Sequence, residues 1–322
     1  MKWIWLLTLV GGLRAADGLY FPGAGEWARI TPVEAGWNAD ALNEALDVAG
    51  ARRSSSMVVL YRGKILAEKN WRNPVTPEDV ASVQKSVTSV LIGIALEKKL
   101  LRLDDAVAKH LGQGWSKAGE KETAITIRHL LTMTSGLSDA LEVEAAPGTR
   151  WRYNTIAYQK LPRLLEKASG KSINELSKAW LFEPLGMSDS KWVERAAMPG
   201  LLGLMTTARD MARFGLMVEA DGKWNGKPIV SASYLREALE TSQPLNKSYG
   251  YLWWLNGRPT VRANGKQANQ LIPGAPKDLV AALGALGRKI YVVPSLELVV
   301  TRTGANSDAD GEPPFDEVLW WR

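Results

Sequence analysis

No cysteine occurs anywhere in the 322 residues. That excludes disulfide staples, thiolate catalysis, cysteine-ligated zinc and a lipid-modified N-terminal cysteine. Histidine is nearly as scarce, with only His110 and His129. Two are too few for a three-histidine metal site, and no His-Glu-x-x-His run exists. No block of five or more lysines and arginines appears, so the net charge of +6 describes a scattered, mildly basic surface and no nucleic-acid partner. A Gly-x-Ser-x-Gly elbow is missing, which argues against a Ser-His-Asp triad on an α/β-hydrolase fold. Repeats and low-complexity tracts are also absent. The N-terminal apolar run, Trp3 to Leu13, is too short to cross a bilayer.

What is present reads as globular. Hydrophobic residues make up 46% and charged residues 23%, in a chain long enough for two lobes. The fourteen tryptophans suit core packing, with an aromatic-lined cleft as the alternative for Trp253-Trp254. Lys2, the apolar run and the small residues after Arg14 predict a secretory signal over 1–16. The mature protein is then expected to be periplasmic or secreted.

Asn38 to Ala51 reads as a helix capped by Asn38. Ser56 to Tyr61 and Ile65 to Ala67, joined at Arg62-Gly63-Lys64, read as a hairpin. A helix is expected over Ala157–Ala168, and a strand over Tyr249–Leu255. A second hairpin falls over Lys289–Thr301, and a last helix over about Pro314–Trp321. The expected fold class is α+β, with an antiparallel sheet built from both chain ends and flanked by helices. Residues 17–80 and 245–322 would form the α/β lobe. Residues 81–244 would form an inserted, mostly helical lobe, with the active site between the two.

The chemistry concentrates in Ser82-Val83-Gln84-Lys85. Apolar Val83, Val87, Val90, Leu91 and Ile94 recur at helical spacing, so Ser82, Lys85, Ser86 and Ser89 share the opposite face. A serine at a helix start with a lysine three residues on suits a nucleophile and its base; a solvated surface face is the alternative. A second Ser-x-x-Lys, Ser188 to Lys191, starts no apolar helix and reads as a loop. Further along, Pro147-Gly148-Thr149 leads into Tyr153 just before a helix.

These segments, with Arg128-His129-Leu130-Leu131-Thr132-Met133-Thr134-Ser135-Gly136-Leu137 between them, resemble the serine β-lactamase and penicillin-binding-protein superfamily. The likeness is to its class C-related branch, which includes family VIII esterases and 6-aminohexanoate-dimer hydrolases. It implies a β-lactamase/transpeptidase-like fold and no metal or cofactor. It implies that Tyr153 shares proton transfer with Lys85, and that His129 is a packing residue. The branch's Tyr-x-Asn box stands here as Tyr153-Asn154-Thr155, so Thr155 would offer a hydroxyl to substrate where an amide is usual. The third box falls at Ala282-Leu283-Gly284-Ala285-Leu286-Gly287-Arg288, not at Arg302-Thr303-Gly304. Gly284 would line the site, and the Ala285 N–H would join that of Ser82 as oxyanion donor. Trp254 would supply an apolar wall. The missing cation in the third box weakens carboxylate recognition, with Arg288 or Lys277 as substitutes.

The implied activity is a secreted serine hydrolase acting on a small ester or amide through an acyl-enzyme on Ser82. Two alternatives stand beside it: a penicillin-binding D-Ala-D-Ala peptidase or β-lactamase, and an inert cell-envelope binding protein of the same fold.

Overall fold

The computed structural model describes residues 18–23, 25–308 and 312–320. The expected signal over 1–16 lies outside the described residues.

Helix α1 (Ala39–Ala51) starts where Asn38 Oδ1 accepts the Ala41 N–H. Strands β1 (Ser54–Tyr61) and β2 (Lys64–Asn70) follow as a hairpin. Its two-residue turn puts both Arg62 (φ 49°) and Gly63 (φ 77°) in the left-handed region, the twist a tight hairpin needs. Strand β3 (Glu78–Asp79) leads into a 3₁₀ turn, Ala81–Val83, and helix α2 (Gln84–Glu97).

Every residue of α2 from Gln84 to Ala95 is buried. The solvated-face alternative therefore fails. Its hydroxyls are used internally: Ser86 Oγ donates to Leu252 O at 2.8 Å, and Thr88 Oγ1 lies 2.8 Å from the Tyr158 hydroxyl.

The helix expected over Ala157–Ala168 is two helices, α3 (Thr155–Tyr158) and α4 (Lys160–Ser169), which meet at Gln159. Pro162 falls in the first turn of α4, where it removes no intrahelical hydrogen bond. Strands β4 (Lys191–Glu194) and β5 (Leu202–Thr206) pair with β3 in a small sheet of order β3-β5-β4. Helix α5 (Ala208–Glu219) lies within the helical stretch but packs on the main sheet, where Gly215 faces Val299 and Ile290.

Of the strand expected over Tyr249–Leu255, only β6 (Trp254–Leu255) forms. Leu252 has φ 62°, which breaks the extended run, and the aromatics there are buried in a cluster instead. Strands β7 (Val280–Gly284), β8 (Arg288–Val293) and β9 (Leu298–Gly304) precede helix α6 (Phe315–Trp320). The main sheet runs β2-β1-β9-β8-β7-β6, antiparallel throughout, so early and late strands pair within it at β1–β9. The fold is α+β, an antiparallel sheet built from both ends of the chain and flanked by helices. Among the described residues no helix is long and apolar enough to cross a membrane.

Candidate active site

Ser82 sits in the 3₁₀ turn that opens α2, where first-turn N–H groups lack intrahelical acceptors. The preceding Ala81 has φ 50°, a left-handed conformation uncommon for a residue with a Cβ. Neighbouring elements hold this turn. The Ala81 N–H donates to Asp79 Oδ1 at 2.7 Å and the Val80 N–H to Leu204 O at 3.0 Å. Gln84 Nε2 donates to Leu202 O at 3.1 Å. From the other side β7 comes so close that a Cβ on Gly284 would lie 2.4 Å from Val80 O. A glycine is required there for the strand and the Ser82 turn to touch.

Lys85 follows one turn later and is 2% exposed. Its Nζ donates to Ser82 Oγ at 3.0 Å and to Thr155 Oγ1 at 3.2 Å. The same Nζ lies 4.9 Å and 4.6 Å from the ring centroids of Tyr153 and Tyr158. Among the described residues no carboxylate pairs with it. Burial, reinforced by the charge of Arg195, pulls its pKa down to about 7. A large fraction is therefore neutral at neutral pH, and a neutral amine in that place can accept the Ser82 proton.

Tyr153 is pushed the other way. Burial raises its pKa to about 12 against a hydrogen bond with Ser82 that lowers it. At neutral pH it is a protonated phenol that can relay a proton. Lys85 is then the group free to accept one.

Thr155 turns its hydroxyl to Lys85 and does not line the cavity beside Ser82. The neighbouring amide, Asn154, is part of the scaffold. Its Oδ1 caps α3 through the Ala157 N–H at 2.8 Å, and its Nδ2 donates to Leu137 O and Ser138 O at 2.8 and 2.9 Å.

A cavity of about 590 Å³ opens beside Ser82, Tyr153, Trp254, Leu283, Gly284 and Ala285. Its lip is Leu286, held 46% exposed at φ 65° in the β7–β8 turn. Of the tryptophan pair, Trp254 faces this cavity. Trp253 points to the opposite side of the sheet and stacks on Phe214 at 5.9 Å. Neither Arg288 nor Lys277 lines the cavity. Arg288 lies in the field of Asp79 and Glu78, and Lys277 borders a separate pocket. Two other cations do reach the cavity. Lys289 is held by Asp316, and Arg262 donates to Leu271 O at 2.9 Å.

His129 works as a cap: its Nδ1 accepts the Thr126 N–H at 3.1 Å, and burial lowers its pKa. Ser188 and Lys191, the second Ser-x-x-Lys, are both exposed, with Ser188 in a loop. Asp79, Arg195 and Arg262 were not singled out from the sequence. Only Asp79, three residues before Ser82, carried a local signal, as a side-chain cap for the following N–H groups.

The family profile described as Beta-lactamase matches residues 39–308. A protein of Alkalihalophilus pseudofirmus, BpOF4_21049, is 25% identical over 305 residues, covering 82% of this chain and 86% of that protein. Esterase EstB of Burkholderia gladioli is 27% identical over 184 residues, covering 44% of this chain and 47% of the esterase. Among solved structures, a Bacillus anthracis protein assigned as a 6-aminohexanoate-dimer hydrolase superposes with a TM-score of 0.72 at 18% identity, covering 95% of this chain and 87% of that one.

Proposed function

Because the chain belongs to the beta-lactamase family, we propose that it is an exported serine hydrolase that cleaves small esters or amides through an acyl-enzyme on Ser82. One observation carries the proposal: a buried lysine that pairs with no carboxylate among the described residues donates to the Ser82 hydroxyl at 3.0 Å.

Neutral Lys85 takes the Ser82 proton as Oγ attacks the substrate carbonyl carbon. The carbonyl π pair moves to oxygen, and the resulting oxyanion meets the N–H groups of Ser82 and Ala285. Collapse restores the carbonyl and expels the alcohol or amine. Tyr153 hands its proton to that leaving group and is reprotonated by the Lys85 ammonium. Water then repeats the sequence on the acyl-enzyme, which releases the acid and frees Ser82.

Esters are favoured over β-lactams because the third box brings Leu283 and Gly284 to the cavity, neither of them cationic, and because Trp254 and the leucines give the cavity an apolar side. The EstB likeness points the same way, although it spans less than half of that esterase. The test is labelling with a fluorophosphonate probe followed by peptide mapping. Label is expected on Ser82 and is expected to vanish in Ser82→Ala. No label on the wild-type protein, or label on Ser188, would overturn the proposal.

A further inference from the structure

Asp79 and Arg195 form a two-pronged ion pair beside the nucleophile turn. Arg195 Nε donates to Asp79 Oδ2 at 2.7 Å and its Nη2 to Asp79 Oδ1 at 2.8 Å. Oδ1 also accepts the Ala81 N–H at 2.7 Å. The pair therefore ends directly on the peptide that must hold φ 50° so that Ser82 follows in place. A planar guanidinium bound at both oxygens fixes the carboxylate's plane, which a lysine cannot do.

The small sheet is shaped around this pair. Asp79 ends β3, Arg195 follows β4, and Gly203 of β5 lies between them. A Cβ on Gly203 would sit 2.9 Å from both Arg195 Nε and Asp79 Oδ2. Leu202 and Leu204, on either side of Gly203, hold Gln84 and Val80, the two ends of the turn. Strand, ion pair and nucleophile turn thus form one clamp.

We infer that the Asp79–Arg195 pair is the positioning element of this active site, with Asp79 locking the turn before Ser82 and the Arg195 charge acting on the base Lys85. The inference rests on the proposed role of Ser82 and Lys85. Arg195 is the charged side chain whose field reaches Lys85, lowering its proton affinity alongside burial. The other ionisable groups around the base are the phenols of Tyr153 and Tyr158, with Tyr249 beside them, all held protonated by burial. From the 232–238 helix, the Tyr234 hydroxyl meets α2 at Ser89, a turn further along, and its ring lies against Gly93. Asp79 and Glu78 face Arg195 and Arg288 from β3.

The test is the pH dependence of Ser82 phosphonylation by a fluorophosphonate probe, with each preparation scaled to its total labelled sites so that misfolded protein drops out. Arg195→Met is expected to slow labelling about 10-fold or more, as for a misplaced nucleophile. Because a cation beside Lys85 is lost, the ammonium becomes easier to keep. The acid limb should therefore move up by about half a pH unit or more. Arg195→Lys keeps the charge and loses the fork, so it should be slow with its limb near wild type. Asp79→Asn leaves the guanidinium uncompensated and should move the limb down; it also serves if Arg195→Met does not fold. A limb unmoved in Arg195→Met, or in Asp79→Asn where that variant stands in, overturns the inference at any rate of labelling, because a merely structural prop changes rate or Tm alone. Absence of label in the wild type would instead strike the proposed function on which it rests.

Discussion

The Tyr153 and Trp254 rings stack, with centroids 5.8 Å apart and planes 22° from parallel. Tyr249 closes the arrangement edge-on, 4.9 Å from Trp254. The phenol that bonds Ser82 is therefore held by packing rather than by a hydrogen-bond network of its own. Trp254→Ala should loosen it, lowering kcat about 10- to 100-fold. It should also cost about 3–5 kcal/mol of stability, as for a large buried aromatic. Trp254→Phe should recover most of both. Steady-state kinetics and urea melts check this, and a kcat unchanged in the alanine variant would separate Trp254 from catalysis.

Lys85 should weaken the fold it serves. The unfolded chain keeps its proton to pH 10.5, whereas the folded chain keeps it only to about 7. Between these values the unfolded state binds more protons, so stability rises with pH across that window and is lost as pH falls back to 7. At pH 7 the penalty is on the order of a few kcal/mol. Lys85→Met, which keeps the length and drops the charge, should be inactive yet have a higher Tm at pH 7. A lower Tm would contradict the buried-base account.

Activity should follow the same group. The kcat/KM for an ester should climb through pH 7 as Lys85 becomes neutral. Lys85→Met and Tyr153→Phe should each cost about 10²-fold or more. Combined, they should cost far less than the product, because the two side chains pass one proton. A multiplicative double mutant would assign them separate tasks.

Substrate preference is the sharpest test of the ester reading. p-Nitrophenyl acetate or butyrate should be hydrolysed, and nitrocefin much more slowly, with Ser82→Ala as blank. A missing charge-assisted hydrogen bond costs about 1.5–3 kcal/mol, roughly 10- to 150-fold. Arg262 is the cation placed to reverse this, since it borders the cavity and has one backbone acceptor at Leu271. A nitrocefin kcat/KM equal to the ester value would promote the β-lactamase alternative.

The cluster of Ser82, Lys85 and Tyr153 was legible because the serine and lysine sit within one helical turn and the tyrosine follows a Pro-Gly turn. Both hairpins were legible as β-prone runs broken by Gly or Pro turn residues, with two residues in the first turn and four, 294–297, in the second. Arg195 was not, because it lies 116 residues from Asp79 and nothing local distinguishes it from a surface arginine. Thr155 was read toward substrate, whereas its hydroxyl faces Lys85; side-chain direction in a one-turn helix depends on the element packed behind it. Tyr249–Leu255 read as a strand because aromatics favour strands, but here they favour one another, and the left-handed Leu252 turns the chain to let them meet.

Inside the main sheet, Ser54 pairs with Gly304, the first strand with the last. A ribosome that has finished Ser82, Lys85 and Tyr153 has made no β8 or β9, and so has not fixed the turn that carries Ala285. Contacts this distant in sequence form late and slowly. On the proposed mechanism, the nascent chain would hold Ser82 and Lys85 long before the turn with Ala285 is fixed, and hydrolytic competence would arrive only after β8 and β9 are made.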